Sequence, residues 1–172
     1  FQKPVVLDEI CYEGNIQHGW GNISAQELVR RFWEATCRGG YAGHGETYLH
    51  PENHLWWSHG GKLYGESPER FKFLAKIMNE MPLHGLMPAQ QRWDDVTATT
   101  EFIFPTGNYY LIYYGFNRPS FREFDFQADK KYEIDVIDTW NMTIERVGVF
   151  SGHFEIPLPG REYMALRLRA VE

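Results

Sequence analysis

Lys3-Pro4-Val5-Val6-Leu7-Asp8-Glu9 is the stretch from which the rest of the chain is read. Its apolar centre, Val5-Val6-Leu7, is β-branched and does not alternate with polar residues, the pattern of a parallel strand covered on both faces. The run stops at a charged pair, Asp8-Glu9. Further on, Ser24 and Glu27 form a capping box and Ile23 with Leu28 a hydrophobic staple, so a helix starts at about residue 25. Ala25, Leu28, Val29, Phe32 and Ala35 or Thr36 keep its period, and Gly39-Gly40 ends it near residue 38. Tyr41 to Tyr48 predicts a second short strand, whose glycines let a neighbouring backbone come close. Ser67 as cap, Pro68 at the first position, and Phe71, Leu74, Met78 and Met81 on one face predict a second helix that Pro82 closes.

Past residue 97 the pattern changes to short strands between Gly, Pro, Asn and Asp turns. Seven are expected: Ala98 to Phe104, Tyr109 to Tyr114, Phe121 to Phe126, Tyr132 to Ile137, Met142 to Phe150, Phe154 to Ile156 and Tyr163 to Arg169. Tyr109 to Tyr114 is apolar or aromatic on both faces and belongs at a sheet centre. Tyr132, Ile134 and Val136 alternate with Glu133 and Asp135, and Met164, Leu166 and Leu168 with Arg167 and Arg169, so each of those strands is expected to have one wet face. The chain thus divides into residues 1–95 and 96–172. Two parallel strands and two helices cannot bury both faces of a sheet, so upstream strands of the same polypeptide must complete them. The simplest completion makes the fold α/β plus all-β: the last two βα units of a (β/α)8 barrel followed by a small antiparallel β-sandwich.

Composition narrows the function. The formal net charge is −6 and no basic stripe offsets it, which argues against nucleic acid and anionic membranes as partners. No apolar run reaches the roughly 20 residues of a membrane helix. An aromatic content of 16% suits a packed core with stacking surface to spare. Cys11 and Cys37 could form one bridge at most, which better suits free thiols in a reducing, cytoplasmic compartment. The opening at Phe1, without Met, reads as a piece of something longer.

Lys3 to Glu9, followed by Tyr12-Glu13-Gly14, resembles the seventh strand of clan A glycoside hydrolases. It is most similar to the apiosidase-like glycosidases that carry a C-terminal, collagen-binding-like β domain. Gly43-His44-Gly45-Glu46-Thr47-Tyr48 and Leu55-Trp56-Trp57 resemble the group's eighth strand and the Trp-containing loop after it; Asp138-Thr139-Trp140-Asn141 and Pro157 to Arg161 resemble its β domain. The resemblance implies a retaining glycosidase acting on oligo- or polysaccharides without a cofactor. It makes Glu9 the nucleophile and leaves the acid/base Glu, carried at the fourth strand, upstream.

Glu9 ends a strand, where barrel enzymes hold their reacting groups, and retaining hydrolysis needs one carboxylate to attack while another carboxyl protonates the leaving oxygen. Tyr12, Glu13, Trp20, His44, Glu46, Trp56 and Trp57 are the candidate substrate-binding residues. An indole stacks on a pyranose face, and His44 and Glu46 share one face of their strand as a hydrogen-bonded pair. His18, His44, His50, His54 and His59 cluster in sequence, but Pro51 and the lack of apolar periodicity argue against a ligand-presenting helix between His50 and His54, and no Cys pair is nearby, so no metal site is expected. The alternatives are a non-catalytic carbohydrate-binding or interaction module and, behind it, a metal-dependent hydrolase. Trp140 is expected to dock on the barrel part and to be largely buried.

Overall fold

The computed structural model describes residues 3–55, 62–82, 85–89, 95–101 and 105–172. Trp56, Trp57, His59 and the end of the strand expected over 98–104 lie outside the described residues. Among the described residues the fold is mostly β, with two α-helices.

Strand β1 (Val5–Leu7) runs parallel to β3 (Gly40–Ala42), and β2 (Glu13–Gly14) parallel to β4 (Glu46–Thr47), with Glu13 opposite Glu46. Helix α1 (Ala25–Cys37) makes the crossover between them. The strand expected over 41–48 is split at Gly43-His44-Gly45. Gly43 N–H donates to Leu7 O at 2.9 Å, and a Cβ there would lie 2.4 Å from the Asp8 carbonyl oxygen, so only glycine permits this approach. Two-sided burial of the first strand does not occur: Val5, Val6 and Leu7 are 58%, 62% and 41% exposed, because β1 has β3 on one flank and nothing among the described residues covers its faces.

The capping box forms, with Ser24 Oγ accepting the Glu27 N–H at 3.1 Å, and Gly39 at φ +77° follows the helix end. The helix points one residue differently from expectation. Trp33 is fully buried and stacks on Tyr113 at 5.3 Å, whereas Phe32 is half-buried and stacks on Phe71 of α2 (Ser67–Asn79) at 3.9 Å. The wider apolar face lets α1 touch both α2 and the sheet.

That sheet has six strands in the order β10-β9-β12-β7-β6-β5. They are β5 (Met87–Pro88), β6 (Val96–Thr99), β7 (Tyr109–Tyr113), β9 (Lys131–Asp138), β10 (Thr143–Ser151) and β12 (Met164–Val171). β8 (Phe121–Asp125) and β11 (His153–Pro157) pair separately. Tyr109, Leu111 and Tyr113 enter the core shared with α1 and α2, while Tyr110, Ile112 and Tyr114 enter a second core with Phe124 and Ile156 of the β8–β11 pair. Both faces of β7 are therefore covered, and the six-stranded sheet lies between helices and a two-stranded sheet.

The wet face expected on β9 and β12 is closed by that helical layer at Asp135 and Arg167, while Glu133 and Arg169 stay partly exposed. Asp135 and Arg167 are 2% and 3% exposed and paired at 2.7 Å, and Arg167 also reaches Glu80 at the end of α2 at 2.5 Å. Alternation located the polar residues correctly, but a charge pair satisfied in the interior replaces contact with water. Trp140, after β9, is half-buried, with the Arg70 guanidinium of α2 4.0 Å above its ring and Arg70 Nε donating to its carbonyl at 3.1 Å. Among the described residues no helix is long and apolar enough to cross a membrane.

Candidate functional site

Beyond the carboxyl ends of β1 and β3 the chain opens into a cavity of about 560 Å3, walled by Glu9, Tyr12, Trp20, His44, Glu46 and Tyr48, with Lys62 and Leu63 at its side. Five of the candidates named from sequence thus share one concavity, although Glu9 and Glu46 are 37 positions apart. The segment bearing Glu9 and Tyr12 is anchored by α1: Arg31 donates to the Ile10 carbonyl at 2.6 Å, and Cys11 takes φ +69°, a conformation that side-chain-bearing residues adopt only where surrounding contacts hold it. Tyr12 N–H then donates to the Trp20 carbonyl at 2.8 Å. The Trp20 ring, 47% exposed on the turn Gly19–Gly21, meets Tyr12 edge-on at 6.1 Å and stacks on His18. Burial and the adjacent Glu9 carboxylate hold the Tyr12 phenol above its ordinary value of 10.0, so at neutral pH it keeps its proton.

His44 and Glu46 do not bond to each other. His44 Nε2 lies 3.4 Å from Ser67 Oγ, and the ring packs edge-on against Phe71 at 4.9 Å. Burial lowers its pKa from the ordinary 6.5, against the opposing pull of Glu46 and Glu13, so the imidazole is neutral at pH 7. Glu46 Oε2 accepts the backbone N–H groups of Tyr64 at 2.7 Å and Gly65 at 3.0 Å.

Glu13 is spent elsewhere. It is 2% exposed and accepts from Tyr48 Oη at 2.8 Å, Glu66 N–H at 2.8 Å and Ser67 N–H at 3.1 Å. Ser67, expected as the cap of α2, is instead its first residue, and the Glu66 cap position makes no side-chain bond. A carboxylate from β2 satisfies those orphan donors and the positive end of the helix dipole. Burial would raise the Glu13 pKa, but the bonds from Ser67, Glu66 and Tyr48 outweigh it and hold the group below its ordinary 4.5. Local sequence carries no signal for this cap.

Among the described residues, His50, Glu52 and His54 bring potential metal-ligand atoms within 4.8 Å of one another. A tight loop closed by the Leu49–Leu55 bridge brings the two histidines together, with no helix required. Their rings stack at 4.4 Å, and His50 Nδ1 already accepts the Glu52 N–H at 3.1 Å. This spends that lone pair. The cavity beyond β1 and β3 gathers two carboxylates, an exposed indole and a neutral imidazole.

Residues 93–169 match a family described only as a domain of unknown function, DUF5605. The whole chain is similar to the structure of a putative glycoside hydrolase from Bacteroides vulgatus, with 30% identity and a TM-score of 0.81 over 98% of this chain and 36% of that one. The fold is glycoside hydrolase-related. It is shared with a glycoside hydrolase family 5 structure from Bacteroides vulgatus, at 15% identity and a TM-score of 0.66, and with another glycoside hydrolase at 16% and 0.65, each over 97% of this chain. The chain spans 36% to 42% of the length of these structures. No curated protein matches its sequence.

Proposed function

We propose that this chain is the C-terminal portion of a retaining glycoside hydrolase of the apiosidase-like clan A type. Residues 1–95 supply the last two βα units of the barrel, and residues 96–172 an accessory antiparallel β-sandwich. The observation that carries the reading is the gathering of Glu9, Tyr12, Trp20, His44 and Glu46 around one cavity beyond the ends of parallel strands, which is where barrel enzymes keep their chemistry. Exposure of Val5, Val6, Leu7 and Tyr41 supports it as well, since upstream barrel strands would cover this apolar surface.

Glu9 attacks the anomeric carbon of an oligo- or polysaccharide while a carboxylic acid on the upstream part protonates the departing oxygen; water then cleaves the glycosyl–Glu9 ester. Tyr12, protonated beside Glu9, steadies the carboxylate, and Trp20 offers its face to the sugar. The chain by itself lacks the acid and is inert. No cofactor enters.

The test is made on the full-length polypeptide. Turnover of aryl glycosides should proceed with retention of anomeric configuration, and a 2-deoxy-2-fluoro glycosyl fluoride should add one sugar mass to the peptide bearing Glu9. Label on another residue, or near-parental turnover in Glu9→Gln, removes Glu9 from the role of nucleophile.

A further inference from the structure

Glu46 is 8% exposed, and its two carboxylate oxygens are treated differently. Oε2 is fixed by the N–H groups of Tyr64 and Gly65, whereas Oε1 is sealed from solvent and has no hydrogen-bond partner among the described residues. Buried acceptors are normally paired, and leaving one unpaired costs stability. Glu13, opposite Glu46 on the neighbouring strand, shows what a structural carboxylate does here: three donors from α2 and Tyr48 occupy it. Glu46 has the same burial without the same satisfaction, and it lies on the cavity wall. The segment that holds Oε2 also contributes Lys62 and Leu63 to that wall, and both are exposed.

Resting on the glycosidase reading, we infer that the segment bearing Lys62 and Leu63 moves aside on binding, that Glu46 Oε1 then accepts one hydroxyl of a neutral sugar, and that the site selects neutral sugars over uronic acids. The missing partner is a donor, since a carboxylate oxygen can only accept. A sugar hydroxyl that reaches Oε1 recovers the cost already present in the empty site, so discrimination against a sugar lacking that hydroxyl is large. An anionic sugar would meet Glu9 and Glu46 together. Among the described lining residues Lys62 is the one cation, and its Nζ lies 5.0 Å from the Tyr64 ring centre.

The Gln variant is informative because its amide oxygen must take the Oε2 position to keep the two backbone donors, which turns an NH2 donor toward the cavity in place of the acceptor. Methyl glycosides of glucose, galactose, mannose, xylose and arabinose are titrated calorimetrically into the full-length polypeptide, together with the monodeoxy forms of the tightest binder and methyl uronides. The expected result is that one neutral glycoside binds best and that Glu46→Gln weakens it roughly ten- to a hundredfold with little change in Tm. One monodeoxy form should bind the parent equally poorly and be indifferent to Glu46→Gln. Equal affinity in parent and variant, uniform tolerance of every monodeoxy form, tighter binding of a uronide, or no binding of any neutral glycoside overturns the inference. Aryl glycoside turnover judges the parent reading separately. Turnover with Glu46-independent binding keeps the glycosidase and discards the acceptor; Glu46-dependent binding without turnover does the reverse.

Discussion

The backbone N–H of Ser67 donates to Glu13 Oε2 at 3.1 Å across 54 positions of sequence. The start of α2 is thus welded to strand β2 by a buried carboxylate. Glu13→Ala should destabilise the protein by about 2–4 kcal/mol, since charge-assisted bonds are lost and helix donors are left unsatisfied. Chemical denaturation measures it. A change under 0.5 kcal/mol would mean that water replaces the carboxylate without penalty.

The same group sets an acid limit. Because Glu13 titrates below its ordinary 4.5 in the folded protein, its contribution is fully present above that value and is lost as pH falls through the depressed folded value. Stability of the parent should decline across that acid window more steeply than stability of Glu13→Gln. Parallel pH profiles for the two proteins would rule out this linkage.

Tyr12→Phe removes the hydroxyl facing Glu9 and leaves the ring against Trp20. In the full-length polypeptide kcat/KM for aryl glycosides should fall roughly ten- to a hundredfold, the range of a hydrogen bond to a charged group. Thermal stability should barely move. Unchanged kinetics would show that Glu9 works without it.

Arg167 and Asp135 form an interior pair that also ties the sheet to Glu80 on α2. Arg167→Ala should cost about 2–4 kcal/mol, because it removes the buried cation of the pair and leaves Asp135 to the partly exposed Arg169 at 2.9 Å. The double variant Arg167→Met with Asp135→Leu should recover much of that loss. Equal destabilisation by single and double variants would contradict this account.

Trp140 and Arg70 hold α2 to the turn after β9. Trp140→Ala should cost about 2 kcal/mol, below the value for a fully buried Trp, and should leave polysaccharide binding by the full-length polypeptide unaltered. Loss of saturable polysaccharide binding in that variant would make Trp140 a ligand platform.

Local signals carried the elements. The Ser24 capping box, the Gly39-Gly40 stop and the apolar hexad over 109–114 each need only their neighbours in the chain, so helix α1 and the internal strand β7 were legible. The partition of α1's surface was not. Trp33 and Phe32 are adjacent, and whether the indole faces the sheet depends on Tyr113, 80 residues away. The charges of β9 and β12 look wet in sequence for the same reason: alternation separates two faces but does not say what covers the second.

For the candidate site, sequence alone determined the residue types and their order: a carboxylate at the end of an apolar strand, an aromatic residue on a glycine-flanked turn, and a His-x-Glu segment after a second strand. Tertiary structure decided which of the three candidate glutamates had free acceptor capacity on the cavity wall. Glu13 and Glu46 pair across adjacent parallel strands, yet one caps a helix and the other keeps an unpartnered oxygen. The physical reason is that satisfaction of a buried carboxylate depends on which donors the fold brings within about 3 Å, and here those donors come from residues 48 and 64–67, each far along the chain from the acid it serves.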